Sequence, residues 1–217
     1  MLVDSKYLGG MPQPALTQAQ RTALSDTAMI DAAILLIVSL GPEKTTLKAL
    51  GEASGYSRGL VTYRFGSKAG LFKAVIKTVS ERWLDTFEKA VDDKSGISAI
   101  LSTAEAYRQF VLRSPKDIRA MHILSYHSVE PGCGHADMVR KVIRAQRDQL
   151  AQWVKDGQQQ GTVCADVDPQ VFAARFVAYT SGMVWAWMLG TRDIDFEAAH
   201  AAFQRQINFE LSRQADA

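Results

Sequence analysis

Arg58, Gly59, Thr62 and Tyr63 lie on one short stretch of the chain, and their types suit contact with DNA. Arginine donates two hydrogen bonds to guanine, and threonine contacts a base edge or a thymine methyl group. Glycine lets the backbone come close to nucleic acid, whereas serine, tyrosine and lysine bind phosphate oxygens and fix register. We therefore predict a DNA-contacting set, which is Thr46, Ser57, Arg58, Gly59, Thr62, Tyr63, Arg64 and Lys68.

These residues lie in a segment with the pattern of two short helices joined by a tight turn. Its sequence is TTLKALGEASGYSRGLVTYRFGSKAGL, from position 45 to 71. Gly55 stands at the turn, where glycine enters the left-handed region without steric cost. Ser57 is a favourable N-cap for the second helix, which is predicted to end near Tyr63. The arrangement is typical of a helix-turn-helix, whose second helix enters the DNA major groove.

Caps and a packed underside complete the segment. Thr45 or Thr46 can cap its first helix, because a threonine oxygen accepts an orphan backbone N–H. Ser67 can cap a following long helix, and Lys68 then lies at a helix N-terminus, which attracts phosphate. Arg64 either adds a phosphate contact or packs its stem beneath the motif. The residues expected to face inward are Leu47, Leu50, Ala53, Leu60 and Val61.

Charge is distributed unevenly along the chain. The first 80 residues hold nine Lys and Arg against five acidic residues, a net charge of +4. The remaining residues hold 16 basic and 18 acidic side chains, a net charge of −2. A basic amino-terminal part on a mildly acidic body is consistent with a DNA-reading head. From spacing alone, a three-helix subdomain with an exposed basic helix is an equally good interpretation.

The whole chain is predicted to be all-α, with no alternating strand pattern. Residues 1–20 contain Gly9, Gly10, Pro12 and Pro14 without apolar periodicity, so they are predicted to be a flexible tail. Residues 21–68 would form the helix-turn-helix domain, and residues 69–217 a helical effector-binding and dimerisation domain. The predicted helices cover residues 25–40, 67–91, 97–113, 116–128, 136–160 and 168–189.

The last two of these predicted helices have the pattern of a subunit interface. The helix over 136–160 is amphipathic, and the helix over 168–189 is apolar on two faces, so it needs two partners. Small residues there, among them Ala178 and Gly182, would allow close approach of a second helix. We predict a homodimer through these two helices, and the alternative is a central core helix of a monomer. A two-fold interface also supplies the symmetry that a palindromic DNA site requires.

Aromatic side chains of the body helices are candidates for a small-molecule pocket, since such pockets are mostly apolar with a few polar groups. Plain core packing is the competing interpretation for each of them. An apolar or aromatic effector is expected. The predicted lining is Phe87, Tyr107, Phe110, His122, Tyr126, Trp153, Phe176, Tyr179 and Met183, with Trp83 and Met121 in a wider set.

Composition limits the remaining classes of protein. With 47% hydrophobic and 22% charged residues, the 217-residue chain is an ordinary globular protein. The longest apolar run, from Ala32 to Leu40, is far shorter than the ~20 residues that span a bilayer, and no signal peptide is evident. We therefore expect no membrane segment. Only two cysteines, Cys133 and Cys164, occur, which favours a reducing cytoplasm.

An enzymatic or cofactor-dependent function is not expected, because no nucleophile, base or metal constellation is evident. The clustered His122, His127, Cys133 and His135 match no four-ligand zinc pattern, so the chain is expected to hold no metal or cofactor. A metal-sensing regulator that uses His122, His127 and Cys133 is kept as an alternative. A second alternative is a helical interaction protein that never binds DNA.

The amino-terminal pattern resembles the tetracycline-repressor (TetR) family of bacterial regulators. The resemblance rests on TAMIDAAILLIVSLG, TTLKALGEASGYSRG and YRFGSKAGLF, about 45 residues in the family's order. It implies a homodimer that binds a palindromic operator on double-stranded DNA, acts as a repressor and is released by a small effector. Tyr56, Gly51 and Arg64 depart from the family pattern, as do the residues from Leu60 to Thr62, so the operator sequence cannot be inferred.

Overall fold

In the computed structural model, residues 17–190 and 195–212 are described, and within these ranges α-helix is the only regular secondary structure. The predicted tail therefore falls mostly outside the described residues, apart from positions 17–20. The helices are α1 (Gln18–Lys44), α2 (Leu47–Ser54), α3 (Arg58–Phe65), α4 (Lys68–Val91), α5 (Gly96–Arg113), α6 (Pro115–His127), α7 (Ala136–Gln159), α8 (Pro169–Met188) and α9 (Phe196–Ser212).

The helix ends follow local capping chemistry. Asp168 accepts hydrogen bonds from the backbone N–H groups of Gln170 and Val171 at the start of α8. The first helix begins seven residues earlier than predicted, because Thr17 and Gln20 form a capping box. It bends at Gly41, which has a φ of 80°, so the predicted break there is confirmed although one further turn follows.

The helices α1, α2 and α3 form the head, and α5 to α9 form the body. Ile37, Leu50, Val61 and Leu71 are fully buried beneath the head, where α4 begins. The helix α4 then continues into the body, and α1 also packs against α6. The head is thus held on the body by two helices, and the domain boundary near residue 68 remains a prediction.

An 18-residue window of α1 has a mean hydropathy of 1.8, which by length and composition is enough to cross a membrane. The run of consecutive apolar residues from Ala32 to Leu40 underestimated the hydropathy of this helix. The apolar side chains of the helix have a packing role, because Met29, Ala33 and Ile37 are completely buried within the protein. The helix also packs against α6 of the body.

Candidate DNA-binding surface and ligand cavity

Three hydroxyl side chains define the helix-turn-helix by capping successive helices. Thr46 Oγ1 accepts from the N–H of Ala49, Ser57 Oγ from Leu60, and Ser67 Oγ from Gly70, at 3.1, 3.2 and 3.0 Å. Thr45 is not the cap. Its hydroxyl is buried and donates to the carbonyl oxygen of Gly41, which ties the turn to the end of α1.

The turn between α2 and α3 is tight. Gly55 ends α2 with a φ of 75°, as the sequence predicts. A Cβ at Gly51 would lie 2.9 Å from the carbonyl oxygen of Tyr56, so the glycine that replaces the family's usual alanine lets the turn pack closely. Ala53 is exposed rather than inward-facing, because Gly51 takes that place in the underside of α2.

The outer face of α3 presents the predicted base-contacting residues to solvent. Arg58, Gly59 and Thr62 are exposed, and the Tyr63 side chain is 83% exposed. Val61 is fully buried on the opposite side and anchors the helix. Within the described part of the chain Arg58 forms no ion pair, so its guanidinium is available to an external acceptor.

Arg64 and Lys68 are held inside the head. Arg64 Nε lies 3.3 Å from Asp26 Oδ1 of α1 and is largely buried, which favours the packed interpretation of this residue. Lys68 Nζ donates to the carbonyl oxygen of Glu43 at 3.1 Å and lies over the Phe72 ring. Their contacts with DNA stay predictions, and each would compete with an existing partner.

The body encloses a cavity of about 560 Å³, a usual size for a small-molecule site. It is walled by α4, α5, α6, α7 and α8. Aromatic rings form one side, with Trp83 in contact with Phe87, Tyr107 and Phe110 at centroid distances of 5.6 to 5.7 Å. The predicted residues that line it are Phe87, Tyr107, Phe110, His122, Tyr126, Trp153 and Phe176.

Tyr179 and Met183 do not line this cavity, although both were predicted to. Tyr179 lies on the side of α8 that faces α9, where its ring stacks on Phe203 at 4.1 Å. Met183 follows Phe176 by seven residues, about 10 Å along the helix, and is buried in the core instead. The spacing of Tyr179 and Met183 along the helix is compatible with a pocket. The sequence does not show where along α8 the cavity ends.

Several polar lining residues were missed, among them Ser80, Gln146 and Gln149. Gln146 interrupts the apolar stripe of α7 between Ile143 and Leu150, and such an interruption is the signal that could have identified it. The Ser80 hydroxyl is buried without a hydrogen-bond partner in the described chain. It is therefore free to bond a ligand.

None of the residues that line the cavity in the described structure carries a formal charge. The hydroxyl of Tyr107 and Nε2 of His122 are joined by a 3.1 Å hydrogen bond. Burial lowers the pKa of His122 to about 4 and raises the pKa of the Tyr107 phenol, so both side chains are neutral near pH 7. The cavity therefore suits an uncharged ligand.

An ion-pair network joins the head to the cavity helices. Arg82 of α4 donates to Asp31 of α1 at 2.6 Å and to both carboxylate oxygens of Asp117 of α6 at 3.1 Å. Partial burial opposes the charge on Arg82, but the hydrogen bonds that it donates to the carboxylates of Asp31 and Asp117 raise its pKa overall. A movement of α4 relative to α6 would therefore change the contact of Arg82 with Asp31 of α1.

The predicted metal-sensing set is corrected by the structure. His122 and His127 are five residues apart on α6, so they point in directions about 140° apart. His122 faces the cavity, whereas His127 faces the head, where its Nε2 lies 3.0 Å from Glu43 Oε1. These two histidines therefore cannot share one metal ion.

The outer face of α8 carries an exposed apolar stripe at helical spacing. Trp185 and Leu189 are 49% and 58% exposed, and a side chain at Gly182 would meet open space. Arg175 lies between the stripe residues and forms a bidentate ion pair with Glu210 of α9. The stripe consists of Val171, Ala178, Gly182, Trp185 and Leu189.

Comparison with known proteins assigns the head. Residues 29–75 match the family model of bacterial regulatory proteins, tetR family. The amino-terminal part of the chain therefore has the sequence pattern of the tetR-family DNA-binding region. The chain is 28% identical over 136 residues to the HTH-type transcriptional regulatory protein RaaS of Mycobacterium tuberculosis. That alignment spans 63% of this chain and 58% of the relative's length.

Solved structures share the whole TetR-like fold. A TetR-family regulator from Rhodococcus sp. is 19% identical, with a TM-score of 0.76 over 88% of this chain and all of that one. SmeT in complex with triclosan is 17% identical, with a TM-score of 0.73 over 88% and 92%. NalD, the secondary repressor of the MexAB-OprM multidrug efflux pump in Pseudomonas aeruginosa, is 18% identical, with 0.70 over 89% and 98%. At such identities the likeness establishes the fold, and confirms the predicted all-α class.

Proposed function

We propose that this protein is a homodimeric TetR-family repressor that binds a palindromic operator and is released by a small, uncharged, largely aromatic molecule. The observation that carries the proposal is the position of the cavity between α4 and α6. Both of these helices pack against α1 of the head. Occupancy of the cavity therefore acts on the elements that set the direction of α3.

The exposed stripe of α8, together with α7, is the proposed dimer interface. An isologous contact of this stripe with its copy would cover Trp185 and Leu189, and Gly182 would let the two backbones approach closely. The interface would place two recognition helices on one face of DNA. Half-sites one helical turn apart, about 34 Å, would then be contacted together.

Release follows from differential binding of the effector. A ligand shifts the protein between two states only by as much as its affinities for them differ. A rigid aromatic molecule that separates Trp83 from the wall formed by α6 would favour a wider spacing of α4 and α6. The network of Arg82 with Asp31 and Asp117 would transmit this to α1 and so to α3.

The test combines ligand binding with DNA release. Uncharged aromatic compounds, with triclosan as the first probe, are ranked by the rise in melting temperature that they cause. Binders are then added to the complex with a DNA fragment from upstream of the protein's own gene. We expect a binder to weaken DNA binding, and Ser80→Phe, which narrows the cavity beside Trp83, to reduce both effects.

Two results would contradict the proposal. Compounds that bind in the cavity yet leave the DNA affinity unchanged would remove the effector role. Weak, salt-insensitive binding to every fragment would favour the non-DNA-binding interaction protein, because phosphate-dominated binding must fall with salt.

A further inference from the structure

Three metal-binding side chains outside the cavity meet where the body touches the head. They are His127 at the end of α6, Cys133 in the following loop, and His135, which precedes α7. One ligand atom from each lies within 4.8 Å of the others. His135 is almost completely buried, and the side chain of His127 is 15% exposed, so the cluster is not a chance grouping on an open surface.

The acceptors that face the two imidazoles determine which ring nitrogen carries the hydrogen. Nε2 of His127 faces the Glu43 carboxylate at 3.0 Å, and Nε2 of His135 faces the carbonyl oxygen of Leu124 at 3.1 Å. An ionised carboxylate and a carbonyl only accept, so both Nε2 atoms carry the hydrogen. In the neutral rings Nδ1 then holds a lone pair.

The surroundings of these two Nδ1 atoms are those expected for metal-binding imidazoles. Nδ1 of His127 is buried and has no hydrogen-bond partner among the described residues. Nδ1 of His135 lies 3.2 Å from Sγ of Cys133, and Nε2 of the same ring lies 3.4 Å from it. Histidines that bind a metal usually donate their second N–H to a carboxylate or a backbone carbonyl, which is the pattern seen for both rings.

The cluster is held in place by its neighbours. Phe72 of α4 meets both imidazole rings edge-on, at centroid distances of 6.0 and 5.3 Å. The loop packs closely on α4, since a Cβ at Gly134 would lie 2.6 Å from that of Ala69. Such packing fixes the positions of Cys133 and His135 before any ligand arrives.

We propose that Cys133 Sγ, His135 Nδ1 and His127 Nδ1 bind one divalent transition-metal ion of the zinc class. Zinc bonds of about 2.3 Å to sulfur and 2.0 to 2.1 Å to nitrogen place tetrahedral ligands about 3.3 to 3.6 Å apart. The ligand atoms now lie within 4.8 Å of one another and the two imidazole rings are nearly parallel, so a bound ion requires one ring to turn. A thiolate with two imidazoles selects such an ion over magnesium or calcium. Binding replaces the thiol hydrogen of Cys133, which leaves as a proton.

The fourth position is open to Glu130 or to water. Glu130 Oε2 lies 3.5 Å from Nε2 of His127, on the side of the ring away from Nδ1, so this exposed side chain would have to turn to reach the ion. The charged groups around the cluster are Glu43, Glu130, Lys68 and Lys73, of which Lys68 is already paired with Glu43. The local charge therefore does not oppose a bound cation.

The site reaches the head through Glu43, which follows the bend of α1 and binds both His127 and Lys68. A bound metal would fix the His127 ring and thereby this contact. An effect of the metal on DNA affinity follows only if the proposed repressor function holds. Metal binding itself is independent of that function and is tested without DNA.

Cobalt and zinc ions test the site directly. The reduced, metal-free protein is titrated with Co²⁺, which gives a thiolate-to-cobalt charge-transfer band only when sulfur is a ligand, and then with Zn²⁺ in competition with a chromophoric chelator. We expect one ion per chain and a charge-transfer band that Zn²⁺ removes. Cys133→Ser should abolish the band, and the matched Cys164→Ser should retain it.

His127→Gln gives a second, independent measurement, because this side chain is less buried than His135, on which its ring stacks. We expect the Zn²⁺ affinity to fall at least about tenfold, with the helical circular dichroism unchanged. Absence of the cobalt band in the wild-type protein would overturn the proposal. An unchanged Zn²⁺ affinity in folded Cys133→Ser or His127→Gln would overturn it as well.

Discussion

At the scale of single residues, Arg58 is the side chain on which reading of a DNA sequence depends most in our proposal. It is exposed beside Thr62 on α3, and it has no ionic partner in the described chain. By contrast, Arg64 and Lys68 are each engaged within the head, at Asp26 and Glu43. Their replacement would alter the packing of the head together with any contact to phosphate.

Arg58→Ala is therefore expected to lower the affinity for a specific operator by about 1–3 kcal/mol, the value of one bidentate contact to guanine. Binding to unrelated DNA should change much less. Fluorescence anisotropy with both DNA types measures the difference. Arg113→Ala removes the same charge from the body and serves as the control, and an equal loss in both variants would refute the assignment.

His122 gives a prediction about pH. Its pKa of about 4 in the folded protein is below the usual value of about 6.5, so the unfolded chain binds a proton first as the pH falls. The contribution of the neutral His122 ring to the free energy of unfolding is complete above about pH 6.5 and is lost as the pH falls towards 4. At about pH 4.5 the loss from this group should be about 2–3 kcal/mol.

Urea unfolding at pH 7 and at about pH 4.5 measures this loss. Other groups titrate in the same range, so the comparison is with His122→Gln, which lacks the titrating ring and should lose correspondingly less stability on acidification. Equal losses in the two proteins would show that His122 is not buried as a neutral ring.

At the scale of secondary-structure elements, α4 connects the cavity to the head. The aromatic side chains of its second half wall the cavity, and its first turn is capped by Ser67 beside α3. Arg82 lies between these two parts and binds α1 and α6 at once. We expect this residue to couple effector binding to DNA release.

Arg82→Ala should lower the free energy of unfolding by about 1–3 kcal/mol, because Asp117 is left buried without its partner. It should also reduce the effect of an effector on DNA affinity while effector binding persists. Lys89→Ala breaks an exposed pair on the same helix and should change stability by less than about 0.5 kcal/mol. An effector response that is intact in Arg82→Ala would remove this residue from the coupling.

The elements show what sequence alone can predict. The caps Thr46, Ser57 and Ser67 were predictable because each depends on a bond spanning three residues. Much of the aromatic wall was predictable because large rings on the inner faces of body helices must be buried. The pairing of Arg64 with Asp26 was not, because it joins residues 38 positions apart whose meeting depends on how α1 crosses α3.

The proposed metal site beside the head shows the same limit of prediction from sequence. The sequence indicated metal-binding residues near the end of α6, but it combined His127 and Cys133 with His122 rather than with His135. Helical phase separates His122 from the others, whereas the loop after α6 returns His135 to them. Loop geometry of this kind has no periodic signal.

At the scale of the whole molecule, the proposed two-fold assembly depends on the outer stripe of α8. Trp185→Glu would place a charge at the centre of that stripe and is expected to give monomers in light scattering at concentrations where the wild-type chain is dimeric. Val129→Glu changes a more exposed apolar residue away from α8 and should remain dimeric. Dimers of folded Trp185→Glu would assign the interface to another surface.

Selection of bound sequences from random duplex DNA tests the central proposal most directly, because it assumes no operator. We predict enrichment of an inverted repeat whose half-site centres lie about 10 base pairs apart, or a multiple of this. The same selection with Arg58→Ala should recover a half-site in which fewer positions are specified. Recovery of no preferred sequence, or of a single unrepeated motif that Arg58→Ala leaves unchanged, would contradict a dimeric regulator that reads DNA through α3.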